Sequence, residues 1–239
     1  MDLKEKTAVI TGAGRGIGRE TALTLAREGC RVVLVSRTEA ELREVERRIK
    51  TGGGEALVVV ADISKKKDIE QLIETTLNHY NALDILINNA GVHIASPFLE
   101  ATEEEWDTNI NINLKGMFFL SQAALRVMKE RRQGYIINIS STAALEVPAR
   151  ATAYGISKLG VKGLTNALWE AGKEYGIKAT VIYPGMTDTK MLREINLPVD
   201  PSCWMLPEDI AGCILFLLKQ SDRIIIKELV PWAARHDQI

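Results

Sequence analysis

The sequence lacks the features that mark membrane, disulfide-rich and nucleic-acid-binding proteins. Its apolar runs are far shorter than the about 20 residues that a membrane-spanning helix needs. The three cysteines, Cys30, Cys203 and Cys213, are far apart and odd in number, which fits reduced thiols better than a disulfide framework. The 30 Lys and Arg residues and 31 Asp and Glu residues are interspersed, so we predict no nucleic-acid or membrane partner.

Metal-ligating and targeting patterns are also absent. His79, His93 and His236 share no metal-ligand spacing, so no metal site is predicted, although His93 is placed where it would approach a substrate. Met1 lies only a few residues before the first predicted strand, which leaves no room for a signal peptide. These observations predict a cytoplasmic protein, and the hydrophobic fraction of 46% is enough for an ordinary globular core.

What the sequence does contain is a glycine-rich turn, Thr11-Gly12-Ala13-Gly14-Arg15-Gly16-Ile17-Gly18. The turn follows a β-prone run at residues 7–10 and precedes a helical pattern that begins near Ile17. Glycine tolerates positive φ and lets a ligand approach the backbone, and a helix N-terminus offers unpaired N–H groups to phosphate. The arrangement favours a pyrophosphate-binding turn over the alternative, an ordinary glycine-rich loop.

Short apolar strands alternate with amphipathic helices along the chain. Strands are predicted at residues 7–10, 31–35, 56–60, 84–87, 135–139, 179–183 and 224–230. Helices are predicted at residues 17–27, 39–50, 67–80, 103–131, 153–175 and 207–219. Strands of continuous Val, Ile and Leu indicate a parallel sheet buried on both faces. The predicted fold class is therefore α/β, a Rossmann-type doubly wound, seven-stranded parallel sheet with helices on both faces, in one domain over residues 1–239.

Tyr154 and Lys158 are candidate catalytic residues because they stand four apart near the start of a predicted helix. Tyrosine has an ordinary pKa of about 10, and an ammonium group beside it favours the phenolate. A lone pair of this kind is commoner on a protein surface. Here Ser140 and Ser141 follow the fifth predicted strand, at the sheet edge where such folds bind ligands, and Asn113 lies in the preceding helix.

With these residues assembled, the chain resembles the short-chain dehydrogenase/reductase family in its compact form, over residues 3 to about 230. The matching motifs are Thr11 to Gly18, Asp62, Asn88-Asn89-Ala90-Gly91, Asn113, Ser141, Tyr154 with Lys158, and Pro184-Gly185 followed by Thr187 and Thr189.

The resemblance implies a role for each of four residues. Tyr154 would be the general acid and base, and Ser141 would hold the substrate oxygen. Lys158 would bind the nicotinamide ribose and lower the pKa of the tyrosine, while Asn113 would hold a water molecule in a proton relay. Ser141 is preferred to Ser140 because the family serine lies thirteen residues before the tyrosine.

The resemblance also implies a nicotinamide dinucleotide site, formed by Gly12, Gly14, Arg15, Gly16, Ile17, Gly18, Ser36, Arg37, Asp62, Ile63, Asn89, Ala90, Gly91, Tyr154, Lys158, Pro184, Gly185, Thr187 and Thr189. Ser36 stands where an acidic residue would bind the adenosine ribose of NAD, and Arg37 and Arg15 offer two guanidinium groups to a 2′-phosphate. NADP(H) is therefore predicted in preference to NAD(H). The alternative is that Arg37 is a solvated residue at a helix start.

The C-terminal region departs from many family members, because Ile224 to Trp232 lacks the usual Asp-Gly-Gly turn. It is more similar to 3-hydroxy acid dehydrogenases and related reductases, which puts an acyl-carrier-protein substrate in doubt. Residues 186–206 are expected to form a short lid with apolar contacts from Met191, Leu192, Ile195 and Trp204. Arg150 either meets an acidic substrate group or is a solvated loop residue.

The function predicted is an NADPH-dependent carbonyl reductase that acts on a small 3-oxoacyl or similar keto substrate, 3-oxoacyl-ACP reductase-like in type. The first alternative is a 3-hydroxy acid or alcohol dehydrogenase that works in the oxidising direction. The second is a non-catalytic dinucleotide-sensing regulator, which would be expected to lose Tyr154 or Lys158. The resemblance further implies that the helices containing Asn113 and Tyr154 pair across a two-fold axis in a homodimer or homotetramer.

Overall fold

A computed structural model describes residues 2–195 and 200–234. The first half of the chain forms β1 (Thr7–Thr11), α1 (Gly16–Arg27), β2 (Arg31–Ser36), α2 (Glu39–Thr51), β3 (Glu55–Val60), α3 (Lys66–Tyr80) and β4 (Ile85–Asn88). The second half forms α4 (Glu103–Ile110), α5 (Met117–Arg131), β5 (Gly134–Ile139), α6 (Thr152–Gly172), β6 (Ile177–Ile182), α7 (Lys190–Glu194), α8 (Pro207–Leu218) and β7 (Glu228–Leu229).

The strands of the described residues form one parallel sheet of seven, in the order β3-β2-β1-β4-β5-β6-β7. Strand β1 pairs with β2 on one side and with β4 on the other, so the direction of winding reverses between β1 and β4. In a doubly wound sheet, ligands bind outside the carboxyl ends of the strands at this reversal. The predicted fold class is confirmed.

Two apolar cores separate the sheet from its helices. On one face, Ile10 of β1 belongs to the core that receives Leu25 of α1 and Ile214 of α8. On the other face, its neighbour Val9 belongs to the core that receives helices α3, α5 and α6. Adjacent residues of a strand point to opposite faces, so a continuous apolar strand supplies both cores.

The largest departure from the sequence prediction lies within the long helix expected over residues 103–131. Helices α4 and α5 are joined by a π-helical turn at Asn111–Gly116, which carries one more residue per turn than an α-helix. At its end, a Cβ on Gly116 would lie 2.5 Å from the carbonyl oxygen of Ile63. This close approach needs glycine, and it brings the π turn against the loop that follows β3.

The other differences lie at the ends of elements. Strand β7 covers only Glu228–Leu229, against a predicted 224–230, because it pairs with β6 alone at the edge of the sheet and few hydrogen bonds keep it extended. The predicted helix over 153–175 ends at Gly172 and continues as a 3₁₀ turn to Tyr175. Helix ends commonly tighten in this way.

Candidate active site

A cleft of about 400 Å³ lies at the carboxyl ends of the central strands. Most of the predicted site residues line it, from both halves of the chain: Gly12, Gly14, Arg15, Gly16, Ile17, Ser36, Arg37, Asp62, Ile63, Asn89, Ala90, Gly91, Ser141, Tyr154, Lys158, Pro184, Gly185, Thr187 and Thr189. Two predicted residues, Gly18 and Asn113, do not contribute to its lining. The topology therefore brings together residues that are far apart in sequence.

The glycine-rich turn leads directly into the N-terminus of α1. Gly12 and Gly16 have φ of +65° and +54°, a region of backbone conformation that favours glycine. Helix α1 begins at Gly16, and among the described residues no side chain caps it. Its first N–H groups are thus left for an anion in the cleft.

Gly18 serves packing instead of lining the cleft. A Cβ at this position would lie 2.2 Å from the carbonyl oxygen of Gly12 and 2.6 Å from Nδ2 of Asn89. No side chain fits between these atoms, so glycine at position 18 lets α1 pack directly against the turn. The expectation that Gly18 belongs to the cofactor site stays a prediction, and in the structure Gly18 supports that site through packing.

Thr11 holds the loop after β4 beside the glycine-rich turn. Its Oγ1 accepts hydrogen bonds from the backbone N–H groups of Asn89 at 2.9 Å and Ala90 at 3.0 Å. The amide of Asn89 in turn donates to the carbonyl oxygen of Thr11 at 2.9 Å. These bonds join the first and fourth strands of the sheet at the base of the cleft.

At the end of the cleft formed by β2 and β3, charged residues of both signs meet. Burial opposes the ionisation of Asp62, but hydrogen bonds from the hydroxyl and N–H of Ser64, with the charge of Arg37, hold the pKa of Asp62 below its usual value. The guanidinium of Arg15 lies 3.7 Å from a carboxylate oxygen of Glu41. Glu41 lines the cleft and was missed in the sequence, because only the packing of α2 against the glycine-rich turn brings it there.

Tyr154 and Lys158 lie side by side in the first turns of α6. The ammonium nitrogen of Lys158 donates to the carbonyl oxygen of Ile139 at 3.1 Å and lies 5.8 Å from the centre of the Tyr154 ring. Burial lowers the pKa of Lys158 to about 8. Burial also raises the pKa of Tyr154, and the neighbouring hydroxyl of Ser141 opposes that increase. The sequence leads us to expect that Lys158 lowers the pKa of the tyrosine, but here burial of the phenol sets the direction and the opposing influence comes from Ser141.

The two adjacent serines have different environments. The hydroxyl of Ser140 is buried and donates to the carbonyl oxygen of Lys158 at 2.7 Å, which ties β5 to α6. The hydroxyl of Ser141 accepts from the N–H of Ala143 at 3.2 Å. Its interaction with the phenol of Tyr154 lowers the pKa of that group. Both serines line the cleft, but the Ser140 hydroxyl is engaged by the backbone, and the assignment of Ser141 to the substrate oxygen stays a prediction.

Asn113 is fully buried within the π turn. Its Oδ1 accepts from the N–H of Val92 at 2.8 Å, and its Nδ2 donates to the carbonyl oxygen of Val92 and the hydroxyl of Ser157, both at 3.0 Å. A Cβ placed on Gly91 would lie 3.0 Å from this Oδ1 and 3.3 Å from Nζ of Lys158. A side chain at position 91 would therefore crowd the asparagine and the lysine, and glycine leaves the space between them open.

The remaining wall of the cleft is mostly apolar. Met186, Met191, Leu192 and Ile195 line it as predicted for a lid, whereas Trp204 does not. The two ends of the lid are joined by backbone hydrogen bonds between Met205 and residues 186 and 188. These bonds set the direction of the chain at Met205 and leave the neighbouring tryptophan outside the cleft lining. Residues 196–199, which include Pro198 of the lid, lie outside the described residues.

His93 lines the cleft in direct contact with the candidate catalytic tyrosine. The two ring centres are 4.4 Å apart with an interplanar angle of 55°. Burial lowers the pKa of His93, and the positive charges of Arg150 and Lys158 lower it further. The lowered pKa favours the neutral imidazole, which adds a polar group to the apolar wall.

The sequence profile of the short chain dehydrogenases matches residues 6–200. The chain belongs to the short-chain dehydrogenase/reductase family. An uncharacterised oxidoreductase of Staphylococcus aureus strain USA300 is 36% identical over 227 residues, which cover 95% of this chain and 96% of the relative.

Solved structures of other family members have the same fold. An actinorhodin polyketide ketoreductase with NADPH is 27% identical, with a TM-score of 0.90 and coverage of 96% of both chains. A 7α-hydroxysteroid dehydrogenase with NADH and 7-oxo glycochenodeoxycholic acid is also 27% identical, with a TM-score of 0.90, over 98% of this chain and 96% of the other. Both forms of the reduced dinucleotide thus occur among its structural neighbours.

The cleft of this short-chain dehydrogenase fits the nicotinamide dinucleotides that its family uses. Gly12, Gly14 and Gly16 present backbone without side chains beside an uncapped helix N-terminus, which suits a pyrophosphate. Among residues 2–195 and 200–234, no group of three His, Cys, Asp or Glu side chains is placed to hold a metal ion. Nor is any helix of the described chain long and apolar enough to cross a membrane. His236 lies outside the described residues.

Proposed function

We propose that this oxidoreductase is an NADPH-dependent carbonyl reductase that converts a 3-oxoacyl or similar keto substrate to the hydroxy product. The observation that carries the proposal is the convergence of Tyr154, Lys158 and Ser141 on the cleft that the glycine-rich turn also lines. A buried phenol beside an ammonium group suits proton transfer to a carbonyl oxygen.

The cofactor would lie along the glycine-rich turn, the loop at residues 89–91 and the segment at residues 184–189. When bound, the reduced dinucleotide supplies the hydride for the carbonyl carbon. Lys158 would bind the nicotinamide ribose through its ammonium group. Thr189 caps α7 by accepting from the N–H of Leu192 at 3.3 Å. Through this bond it would connect the cofactor-binding segment at residues 184–189 to the lid helix.

In the proposed reaction, Tyr154 donates its phenolic proton to the oxygen of the substrate carbonyl. Ser141 donates a hydrogen bond to the same oxygen, and this bond strengthens as negative charge develops there. The ammonium group of Lys158 stabilises the phenolate that remains on Tyr154. Asn113 holds the backbone of Val92 and the hydroxyl of Ser157 through side-chain hydrogen bonds, and it would hold a relay water that returns a proton to the site.

The preference for NADPH is supported by the positive charge of Arg15 and Arg37 around Ser36. Two guanidinium groups suit a 2′-phosphate, and no carboxylate ends β2 in this chain. Glu41 acts against this preference, because its carboxylate already engages Arg15. The preference for NADPH over NADH therefore depends mainly on Arg37.

The proposed assembly is a homodimer or homotetramer in the cytoplasm. Trp106 of α4 and Phe118 of α5 are exposed, at 42% and 44%, and both lie in the predicted helix around Asn113, which the family resemblance implicates in pairing together with the helix of Tyr154. Burial of such aromatic side chains favours association. A sedimentation coefficient that corresponds to a monomer would contradict this assembly.

The proposed function is tested by following NADPH consumption with a panel of 3-oxoesters, diketones and quinones. The Tyr154→Phe variant should lose at least about 100-fold in kcat, because it removes the proton donor, and should still bind NADPH in a fluorescence titration. Tyr175→Phe is the matched control, since Tyr175 lies against Lys129 and Arg132 and outside the cleft. Substantial turnover by Tyr154→Phe would refute the assignment.

A further inference from the structure

Arg150 carries a positive charge at the substrate side of the cleft. It lies in the 3₁₀ turn Ala149–Ala151, four residues before Tyr154, and it lines the cleft with the tyrosine. The turn is held in place by two backbone hydrogen bonds, from Ala151 to the carbonyl oxygen of Pro148 at 2.9 Å and from Phe98 to that of Ala149 at 3.0 Å. The backbone that carries the guanidinium group is therefore anchored beside the catalytic helix.

The described part of the chain offers no carboxylate partner to Arg150. Within residues 2–195 and 200–234 it forms no ion pair and no side-chain hydrogen bond. The carboxylates that line the described cleft, Glu41 and Asp62, both belong to the end near β2 and β3. The neighbouring cations have partners: Lys190 lies 3.8 Å from Glu194, Arg193 pairs with Asp188, and the buried Lys158 donates to the carbonyl oxygen of Ile139. Among the described residues on the substrate side of the cleft, Arg150 is therefore the exposed cation that has neither an ion pair nor a side-chain hydrogen bond.

The surroundings of Arg150 fit a small molecule with one anionic end. The cleft wall near the arginine and the lid includes the apolar side chains of Pro148, Met186 and Leu192. His93, whose ring centre lies 4.4 Å from that of Tyr154, lines the same cleft as Arg150. Because Arg150, Tyr154 and Ser141 all line this cleft, one molecule that binds Arg150 through an anionic end could present its carbonyl to Tyr154 and Ser141.

We propose that the natural substrate is a small keto acid whose carboxylate is bound by Arg150 while its carbonyl faces Tyr154 and Ser141. This inference rests on the proposed function. A planar guanidinium group binds a carboxylate with two parallel hydrogen bonds, which fixes the orientation of the substrate as well as its affinity. A neutral ketone would be reduced without this contact, since Arg150 is exposed and stays solvated.

The test compares keto acids with their methyl esters, which keep the carbonyl and remove the charge. The probes are 3-oxobutanoate and 4-oxopentanoate, each with its methyl ester, in the wild type and in Arg150→Met. Wild type should prefer one of the acids to its ester. Arg150→Met should lower kcat/KM for that acid by about 10- to 100-fold, mainly through KM, and change the ester by less than about twofold.

Two further variants control for the loss of any positive charge. Arg223→Met removes an exposed arginine outside the cleft lining and should change kcat/KM for neither the acid nor the ester. Lys190→Met should leave the preference for the acid unchanged. The inference is overturned if the wild type does not prefer either acid, if Arg150→Met affects acid and ester equally, or if Lys190→Met is the variant that removes the preference.

The outcome for the esters separates this inference from the proposed function. Turnover of the neutral esters and diketones without a preference for acids would leave the carbonyl reductase in place and remove the role of Arg150. Failure of the wild type to reduce any carbonyl compound, with NADPH binding intact, would overturn both.

Discussion

The ammonium nitrogen of Lys158 lies 5.8 Å from the centre of the Tyr154 ring, and both side chains are buried. A buried ammonium group is poorly solvated, which is why the pKa of Lys158 falls from 10.5 to about 8. Lys158 therefore places a positive charge beside the proton donor, and burying that charge lowers the stability of the folded protein.

The pKa of Lys158 has a consequence for stability. Because the folded-state pKa lies below that of the unfolded chain, the charged lysine destabilises the fold by about 3 kcal/mol at pH 7, and stability is regained as pH rises from about 8 to 10.5. We expect Lys158→Met to abolish turnover and to raise the melting temperature at pH 7. The difference in melting temperature between the variant and the wild type should shrink toward pH 10. A variant less stable than wild type at pH 7 would contradict this account.

The two serines after β5 should separate stability from catalysis. Ser140→Ala removes a buried hydrogen bond to the carbonyl oxygen of Lys158, so we expect a loss of about 1–2 kcal/mol in unfolding free energy. Ser141→Ala should leave stability within about 0.5 kcal/mol and lower kcat at least about 10-fold. Urea unfolding and steady-state kinetics on both variants provide the measurements. Equal effects of the two substitutions on kcat would remove the distinction.

Gly18 should be intolerant of any side chain. Gly18→Ala places a Cβ 2.2 Å from the carbonyl oxygen of Gly12, so the turn and α1 must separate. We expect a loss of at least about 2 kcal/mol in stability together with weaker dinucleotide binding. Gly163→Ala is the matched control, because nothing lies within 4 Å of its Cβ position in α6, and it should stabilise by about 0.5–1 kcal/mol. Thermal unfolding and fluorescence titration with NADPH distinguish these outcomes.

Glu41 should oppose the binding of NADPH. Its carboxylate neutralises part of the charge of Arg15 across 3.7 Å, in a partly exposed pair. Glu41→Gln should therefore tighten NADPH by up to about fivefold, as expected for an exposed ion pair, and change NADH little. Fluorescence titrations with both dinucleotides measure this effect. Equal changes for NADPH and NADH would show that Glu41 does not act on the 2′-phosphate.

Local patterns in the sequence were enough to predict the fold and most of the cleft. Apolar runs such as residues 31–35 indicate buried strands by composition alone, and the glycine-rich turn requires glycine for conformational reasons at Gly12 and Gly16. The spacing of Tyr154 and Lys158 places both on one helical face without knowledge of any neighbour. These properties depend only on residues close together in the chain, and the sequence by itself determined them.

Tertiary packing decided the features that depend on distant parts of the chain. The π turn that holds Asn113 forms where the helix passes the loop after β3, and the helical periodicity does not reveal it. Glu41 lies beside Arg15 because α2 packs next to the glycine-rich turn. Trp204 stays outside the cleft lining because Met205 next to it is hydrogen-bonded to residues 186 and 188. Within residues 2–195 and 200–234 Arg150 has no ion pair, because the described carboxylates of the cleft lie at its other end. Such relations are set by contacts between residues far apart in sequence, so only the folded structure determines them.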